Sequence, residues 1–124
     1  MKHLQDDLGH YDTGIYGGPT EAFTRNITQL ARQGVVLDRS WTHWHCSPTR
    51  RSILTGRWPI HHGEQLSGVQ TDDIDLRQTS IGEKLKSAGY TTAWYGKGHT
   101  GYQSMHQLPN GLGFDRHIGF LTGS

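Results

Sequence analysis

Cys46 and Arg50 are the first residues whose types and spacing could do chemistry. Cys46 is the single cysteine of the chain and lies just before residues 49–55, whose composition predicts a short helix. A thiol there lies in the positive potential of the helix dipole, and Arg50 can return from the first turn toward the same point. The pair predicts a pocket for a small anion such as sulfate or phosphate. A buried structural cysteine beside a surface arginine is the alternative, which local physics leaves open.

Lys97 and His99 form a second candidate pair, in the glycine-rich residues 96–101. A lysine can neutralise an anion, and a histidine can donate or accept a proton near neutral pH. The pair predicts a role in anion binding and proton transfer. A solvated lysine and an ordinary loop histidine are the alternative.

Asp6 and Asp7 are adjacent carboxylates near the start of the chain. Hard oxygen ligands suit calcium or magnesium. Side chains of neighbouring strand residues point to opposite faces, so a shared ion requires a bend at this point. On local grounds alone, a solvated and charged segment is the favoured interpretation.

A zinc site is a further alternative, because histidines and the cysteine cluster along the sequence. Their spacing matches neither the usual pairs of cysteines nor the usual pairs of histidines, which argues against zinc. The residues concerned are His43, His45, Cys46, His61 and His62.

The candidates need helices and strands to position them, and two helix–strand pairs are predicted. Residues 26–33 have the apolar spacing of a helix that Asn26 caps and Gly34 ends, followed by a short strand at residues 35–37. Residues 80–88 form the clearest helix, followed by a strand at residues 90–95.

The caps of the second helix are visible in the sequence. Ser80 and Glu83 have the spacing of a capping box, and Gly89 is placed to end the helix. From Gln103 onward the chain has the composition of a loop. Alternation of helices and strands predicts an α/β fold with a mostly parallel sheet, and such sheets bind ligands beyond the carboxyl ends of their strands. Residues 96–101 lie at such an end.

Composition limits the classes of protein that fit. The chain has 124 residues, the length of one domain, and a formal net charge of +1. That balance excludes a polybasic nucleic-acid binder, so Trp41, Trp44 and Trp58 are expected to pack or to line a pocket rather than to stack on bases. Leu, Ile, Val and Phe make up only about 19% of the residues, which predicts a thin core.

The sequence shows no sign of membrane insertion or of a disulfide framework. No run approaches the roughly 18 apolar residues of a membrane helix, and no signal peptide is recognisable at the start. A single cysteine cannot form an internal disulfide. A soluble chain is expected, or one whose start is missing.

Taken in order along the chain, these segments resemble the type I sulfatases. Residues 46–57 resemble the signature in which a cysteine is oxidised to formylglycine, and residues 6–9 resemble the metal-binding start of the family. The other matching segments are residues 26–36, residues 89–92 with 96–99, and residues 113–119. Residues 119–124 are most similar to the arylsulfatase B (N-acetylgalactosamine-4-sulfatase) subgroup.

The resemblance implies an alkaline-phosphatase-like α/β fold and hydrolysis of a sulfate ester at a calcium site. Cys46, as formylglycine hydrate, is implied to be the nucleophile and a metal ligand with Asp6 and Asp7. Arg50 is implied to orient the nucleophile and stabilise charge. Lys97 is implied to bind sulfate, and His99 to hold or protonate groups around the nucleophile and the sulfate.

The resemblance also implies partners and a location. The substrate is a sulfate ester, such as a sulfated sugar, and a formylglycine-generating enzyme modifies Cys46; neither nucleic acid nor membrane is expected as a partner. Members act in the secretory pathway, the lysosome, the periplasm or outside the cell.

Residues 1–124 are expected to be a partial N-terminal sulfatase domain, lacking its first strand and its C-terminal portion, and inactive alone. A phosphonate or phosphate ester hydrolase of the same superfamily and a non-catalytic remnant are the alternatives.

Overall fold

The computed structural model of the chain describes residues 2–17, 24–62 and 74–123. These residues belong to two compact units, Met1–Trp41 and Thr42–Ser124. Across the described residues, no helix is long and apolar enough to cross a membrane.

The first unit contains a 3-10 turn at His10–Asp12 and helix α1, Arg25–Gln33. The predicted cap at Asn26 is wrong, because α1 begins one residue earlier and Thr24 is the residue before it. The Thr24 hydroxyl accepts a hydrogen bond from the Gly14 N–H at 2.8 Å and caps no helix N–H. Gly34 ends the helix as predicted, and its N–H donates to the Ala31 carbonyl.

The strand predicted at residues 35–37 does not form. These residues are irregular, and Val35 is 87% exposed. A β-branched pair is not enough for a strand, which needs a partner to take its backbone hydrogen bonds. Among the described residues, only two strands pair, and both lie in the second unit.

In the second unit, helix α2 runs Cys46–Thr55 and a short helix, α3, runs Pro59–His62. Helix α2 begins three residues before the predicted start, so Cys46 is its first residue. Pro48 is compatible with that start, because the first N–H groups of a helix have no intrahelical acceptor. Gly56, with φ of 67°, ends α2 in the left-handed conformation.

Helix α4, Ile81–Ser87, follows the prediction closely. The Ser80 hydroxyl accepts from the Glu83 N–H at 3.1 Å, and the Glu83 carboxylate accepts from the Ser80 N–H at 2.7 Å. Gly89 follows with φ of 84°, which favours glycine. The predicted capping box and its terminating glycine are therefore confirmed.

Strands β1, Ala93–Lys97, and β2, Arg116–Phe120, form a parallel two-stranded sheet. The parallel α/β prediction is confirmed, but the strand lies two to three residues later than residues 90–95. The loop predicted after Gln103 is wrong in part, because this stretch contains β2 and a 3-10 turn at Met105–Gln107.

The two strands meet closely at a glycine pair. Gly96 and Gly119 are direct partners in the register. A side chain at Gly119 would collide with the Gly96 backbone, so glycine is required there.

The core of the second unit is small, as the composition predicts. Leu54, Ile74 and Leu112 are its buried apolar residues, with Trp94 and Phe114 packed against them. Leu54 comes from α2 and Trp94 from β1. The core therefore joins the helix that begins at Cys46 to the strand that ends at Lys97.

Candidate functional site

Cys46 is held at the start of α2 by the turn that precedes the helix. The buried Thr49 hydroxyl donates to the His45 carbonyl at 2.9 Å and accepts from the His43 N–H at 3.1 Å. These bonds bring the preceding segment back over the first turn of the helix. Cys46 is left half-buried at the positive end of the α2 dipole.

His99 contacts Cys46 directly. Its Nδ1 lies 2.9 Å from the Cys46 Sγ, and the two residues are 53 positions apart in the chain. One group donates and the other accepts, according to the tautomer of the imidazole. Two residues singled out separately in the sequence are thus neighbours.

The backbone of His99 has an unusual conformation that its neighbours support. Its φ is 54°, in the left-handed region that few residues other than glycine adopt. The His99 N–H donates to the Leu121 carbonyl at 2.9 Å, and the Gly98 N–H donates to the Phe120 carbonyl at 2.7 Å. On the other side, the Thr100 carbonyl accepts from the Ile74 N–H. Such bonds are needed because an unfavourable φ persists only where the surroundings fix it.

Arg50 connects the same two segments in the opposite direction. Its Nη1 donates to the Lys97 carbonyl at 2.7 Å, and its side chain is buried. The Trp94 indole N–H donates to the same carbonyl at 3.2 Å. Lys97 is the last residue of β1 and is half-buried.

Four of the predicted site residues thus lie where α2 begins and β1 ends. They are Cys46, Arg50, Lys97 and His99. A thiol, two cations and an imidazole at a helix N-terminus have the composition of a site for a tetrahedral anion.

Asp6 and Asp7 lie in the first unit, in a bend of exposed residues. Asp7 has φ of 53°, so the chain does turn between the carboxylates as a shared ion requires. Their oxygen donors suit calcium, which takes about six to eight oxygen ligands. Within residues 2–17, 24–62 and 74–123, no group of three or more His, Cys, Asp or Glu side chains could hold a metal.

The same finding argues against the zinc alternative, because all five histidine and cysteine residues proposed for it are among the described residues. His62 is buried, and its Nε2 lies 3.2 Å from the Ser52 hydroxyl, which joins α3 to α2. The His43 ring packs edge-on against Trp44 and Trp58.

The tryptophans are more exposed than packing residues would be. Trp41 is 82% exposed, Trp44 57% and Trp58 70%. The expectation that they pack into the fold is wrong, and the expectation that they line a pocket stays a prediction. The Trp44 and Trp58 indoles contact the His43 ring.

Sequence reasoning missed the residues that support the site through their backbone. Leu121 and Phe120 contribute carbonyl groups, for which the sequence holds no signal. Thr49 could have been found, because a threonine hydroxyl in the first turn of a helix often bonds to backbone groups nearby.

Comparison with known proteins places the whole chain in one family. A family model described as Sulfatase matches residues 4–124. The chain is 36% identical over 124 residues to Arylsulfatase J of Mus musculus, covering 98% of this chain and 20% of that protein. It is 34% identical over 128 residues to N-acetylgalactosamine-6-sulfatase of Rattus norvegicus, covering 94% and 24%.

A solved structure agrees. The crystal structure of Ps i-CgsB in complex with k-i-k-neocarrahexaose matches with a TM-score of 0.75 and 30% identity, covering 95% of this chain and 27% of that one. The alkaline-phosphatase-like sulfatase fold is confirmed by this likeness. The chain spans about a fifth to a quarter of the length of the curated relatives given above. The arylsulfatase B subgroup stays a prediction.

Proposed function

The chain belongs to the sulfatase family, and we propose that its residues serve the hydrolysis of sulfate esters at a centre built on Cys46. The observation that carries this proposal is the 2.9 Å contact between the Cys46 Sγ and the His99 Nδ1. It joins the first residue of α2 to the loop after β1, where Arg50 is bonded to the Lys97 carbonyl.

Each residue has a role that suits this reaction. Arg50, Lys97 and the first N–H groups of α2 offset the negative charge of the sulfate group. His99 holds or moves a proton at the Cys46 side chain through Nδ1. The short distance between these two groups meets the first requirement of proton transfer, which is geometry.

Cys46 is proposed to act after conversion to formylglycine by a formylglycine-generating enzyme. The hydrated aldehyde supplies a hydroxyl group for attack on sulfur. Cys46 is half-buried and is not part of the apolar core, so its position is consistent with a reactive group.

Asp6 and Asp7 are proposed to hold calcium, and the resemblance to the type I sulfatases implies the modified Cys46 as a further ligand. Calcium, when bound, would supply positive charge to the anionic group. The two carboxylates follow one another across a backbone bend, and their donor chemistry fits the ion.

A sulfated sugar is the proposed substrate class. The names of two relatives support it, since one is an N-acetylgalactosamine-6-sulfatase and one solved structure holds k-i-k-neocarrahexaose. We extend the proposal to action in the secretory pathway, the lysosome, the periplasm or outside the cell, which the family resemblance implies.

Titration of the isotope-labelled chain with inorganic sulfate, followed by NMR, tests anion binding at this site. We expect the signals of Lys97 and His99 to shift and Lys97→Ala to weaken binding by about tenfold, because one cation is removed. Lys84→Ala is the matched control, since Lys84 is exposed on α4. Equal affinity in Lys97→Ala and the unsubstituted chain would contradict the proposed role of Lys97.

A further inference from the structure

The imidazole of His99 has a second neighbour besides Cys46. The chain that leaves β2 passes beside it, and the residue there is Gly123. A Cβ atom added to Gly123 would lie 2.6 Å from the His99 Cε1 and 2.9 Å from each ring nitrogen. Carbon atoms in ordinary contact are about 3.5–4.0 Å apart, so a methyl group does not fit while the ring keeps its place.

The same stretch of chain also fixes the backbone of His99. The Leu121 carbonyl accepts from the His99 N–H at 2.9 Å. One strand end therefore contacts His99 twice, by a backbone hydrogen bond and by a close approach to the ring. The approach depends on the missing side chain at Gly123.

A glycine can be required because its backbone has a positive φ or because a side chain would not fit. Gly123 belongs to the second kind, whereas Gly96 and Gly101 belong to the first. Gly96 and Gly101 have positive φ values of 98° and 106°. Gly123 is not among the described residues with positive φ, so an alanine can adopt its backbone conformation without strain. The ring of His99 is what limits the space at this position.

We infer that Gly123 is a positioning residue for His99. Its backbone packs against the imidazole, which no side chain separates from it, and this contact keeps Nδ1 beside the Cys46 Sγ. This inference rests on the proposed function for its meaning, since it assigns to the end of β2 a part in orienting the proposed proton-transfer group.

The inference predicts what an alanine does. The atoms in conflict belong to a side chain that can rotate, so Gly123→Ala should move the ring by roughly 1 Å rather than unfold the chain. A movement of that size away from Cys46 lengthens the 2.9 Å contact between Nδ1 and Sγ and weakens its hydrogen bond.

NMR of the labelled chain with unmodified Cys46 tests this without substrate. The unsubstituted chain should show a nuclear Overhauser effect between Gly123 Hα and the His99 Hε1, and another between His99 Hε1 and the Cys46 Hβ protons. In Gly123→Ala the second effect should weaken markedly, because it falls steeply with distance, and the His99 ring signals should shift. Gly34→Ala, a glycine at the end of α1, is the control and should leave those signals in place.

A double-mutant cycle keeps the test decisive if Gly123→Ala folds poorly. In a His99→Ala background the obstructing ring is absent, so Gly123→Ala should not lower the melting temperature further. The inference is overturned if the first effect is absent, if the His99–Cys46 effect keeps its full intensity in Gly123→Ala, or if the melting temperature falls equally in both backgrounds. None of these outcomes depends on sulfate binding, so they are separate from a failure of the proposed function.

Discussion

Arg50 and His99 each join the start of α2 to the end of β1. Arg50 extends from α2 to the Lys97 carbonyl, and His99 extends from beyond β1 to Cys46. One side chain extends from α2 toward β1, and the other extends from the loop after β1 toward α2. Each contact therefore limits how far the two segments can move apart.

Arg50→Lys should destabilise the chain although the charge is kept. A lysine ammonium lacks the planar guanidinium that bonds to the Lys97 carbonyl, so this bond is lost or lengthened at a buried position. We expect the free energy of unfolding in urea to fall by about 1–3 kcal/mol.

Arg57→Lys is the matched control, because Arg57 is exposed. Its free energy of unfolding should stay within about 0.5 kcal/mol of the unsubstituted value. A loss in Arg50→Lys no larger than in this control would show that the Arg50 bond contributes nothing.

At the level of secondary structure, local signals predicted α4 well and β2 not at all. Ser80, Glu83 and Gly89 encode the ends of α4 within a few residues. Strand β2 is Arg-His-Ile-Gly-Phe, with little apolar alternation, and it forms because β1 offers a parallel partner to it. Long-range pairing of that kind leaves no local pattern.

The same distinction applies to the candidate site. The residue types of Cys46, Arg50, Lys97 and His99 were apparent from the sequence, and the family resemblance implied that the four residues share one site. The contacts that position them were not, because they involve backbone carbonyls such as that of Leu121. Backbone groups are the same in every residue, so the sequence does not distinguish the carbonyl that supports a site from any other.

Ser80→Ala should lower stability through the start of α4. The Ser80 hydroxyl accepts from the Glu83 N–H and donates to the Leu112 carbonyl, and Ser80 is fully buried. Alanine removes the cap and leaves that carbonyl without the hydroxyl donor. We expect a loss of about 2–3 kcal/mol in urea unfolding.

Ser87→Ala provides the comparison, since Ser87 is an exposed serine at the other end of the same helix. It should change the free energy of unfolding by less than about 0.5 kcal/mol. Similar losses in the two variants would contradict the role given to the Ser80 cap.

Acid should weaken the link between α4 and β2 at Asp115. Lys86 bonds to this carboxylate at 2.7 Å, and with the N–H and hydroxyl of Thr92 it lowers the pKa of Asp115 from 3.8 to about 2. A lowered pKa stabilises the folded state above the unfolded value, and that contribution is lost as the pH falls toward about 2.

The melting temperature of Asp115→Asn, measured against pH, checks this. The melting temperature of the variant should lie below that of the unsubstituted chain near neutral pH. This difference in melting temperature, the gap, should disappear between about pH 4 and pH 2. Asp38→Asn, at an exposed position, is the control and should show no such gap. A gap for Asp115→Asn that is constant down to about pH 2 would rule out the ionised carboxylate as its cause.

At the scale of the whole molecule, the apolar side chains of the described residues lie more at the surface than in the core. Leu54, Ile74 and Leu112 are buried, whereas Leu30, Ile60 and Ile118 are each more than 70% exposed. Burial of these three side chains contributes roughly 1.5–3 kcal/mol each, about 5–9 kcal/mol together, which is small beside the conformational entropy lost on folding. We therefore expect the core of the described residues to stabilise the fold only weakly.

Residues 1–124 alone should not hydrolyse an aryl sulfate, even after conversion of Cys46. The chain spans 20% of Arylsulfatase J, and Asp6, Asp7 and Cys46 alone supply fewer than the about six to eight oxygen ligands that calcium usually takes. The measurement is release of the phenol with calcium present, compared with Cys46→Ala. Turnover above that control would contradict this expectation and would leave the assignment of Cys46 standing.

Mass spectrometry of Cys46 tests the central claim most directly. The chain is expressed with and without a formylglycine-generating enzyme, and the mass of the tryptic peptide of residues 40–50 is measured. Conversion of the thiol to the aldehyde should lower its mass by about 18 Da only in the presence of that enzyme. An unchanged mass under both conditions would contradict the account of Cys46 as the precursor of the nucleophile.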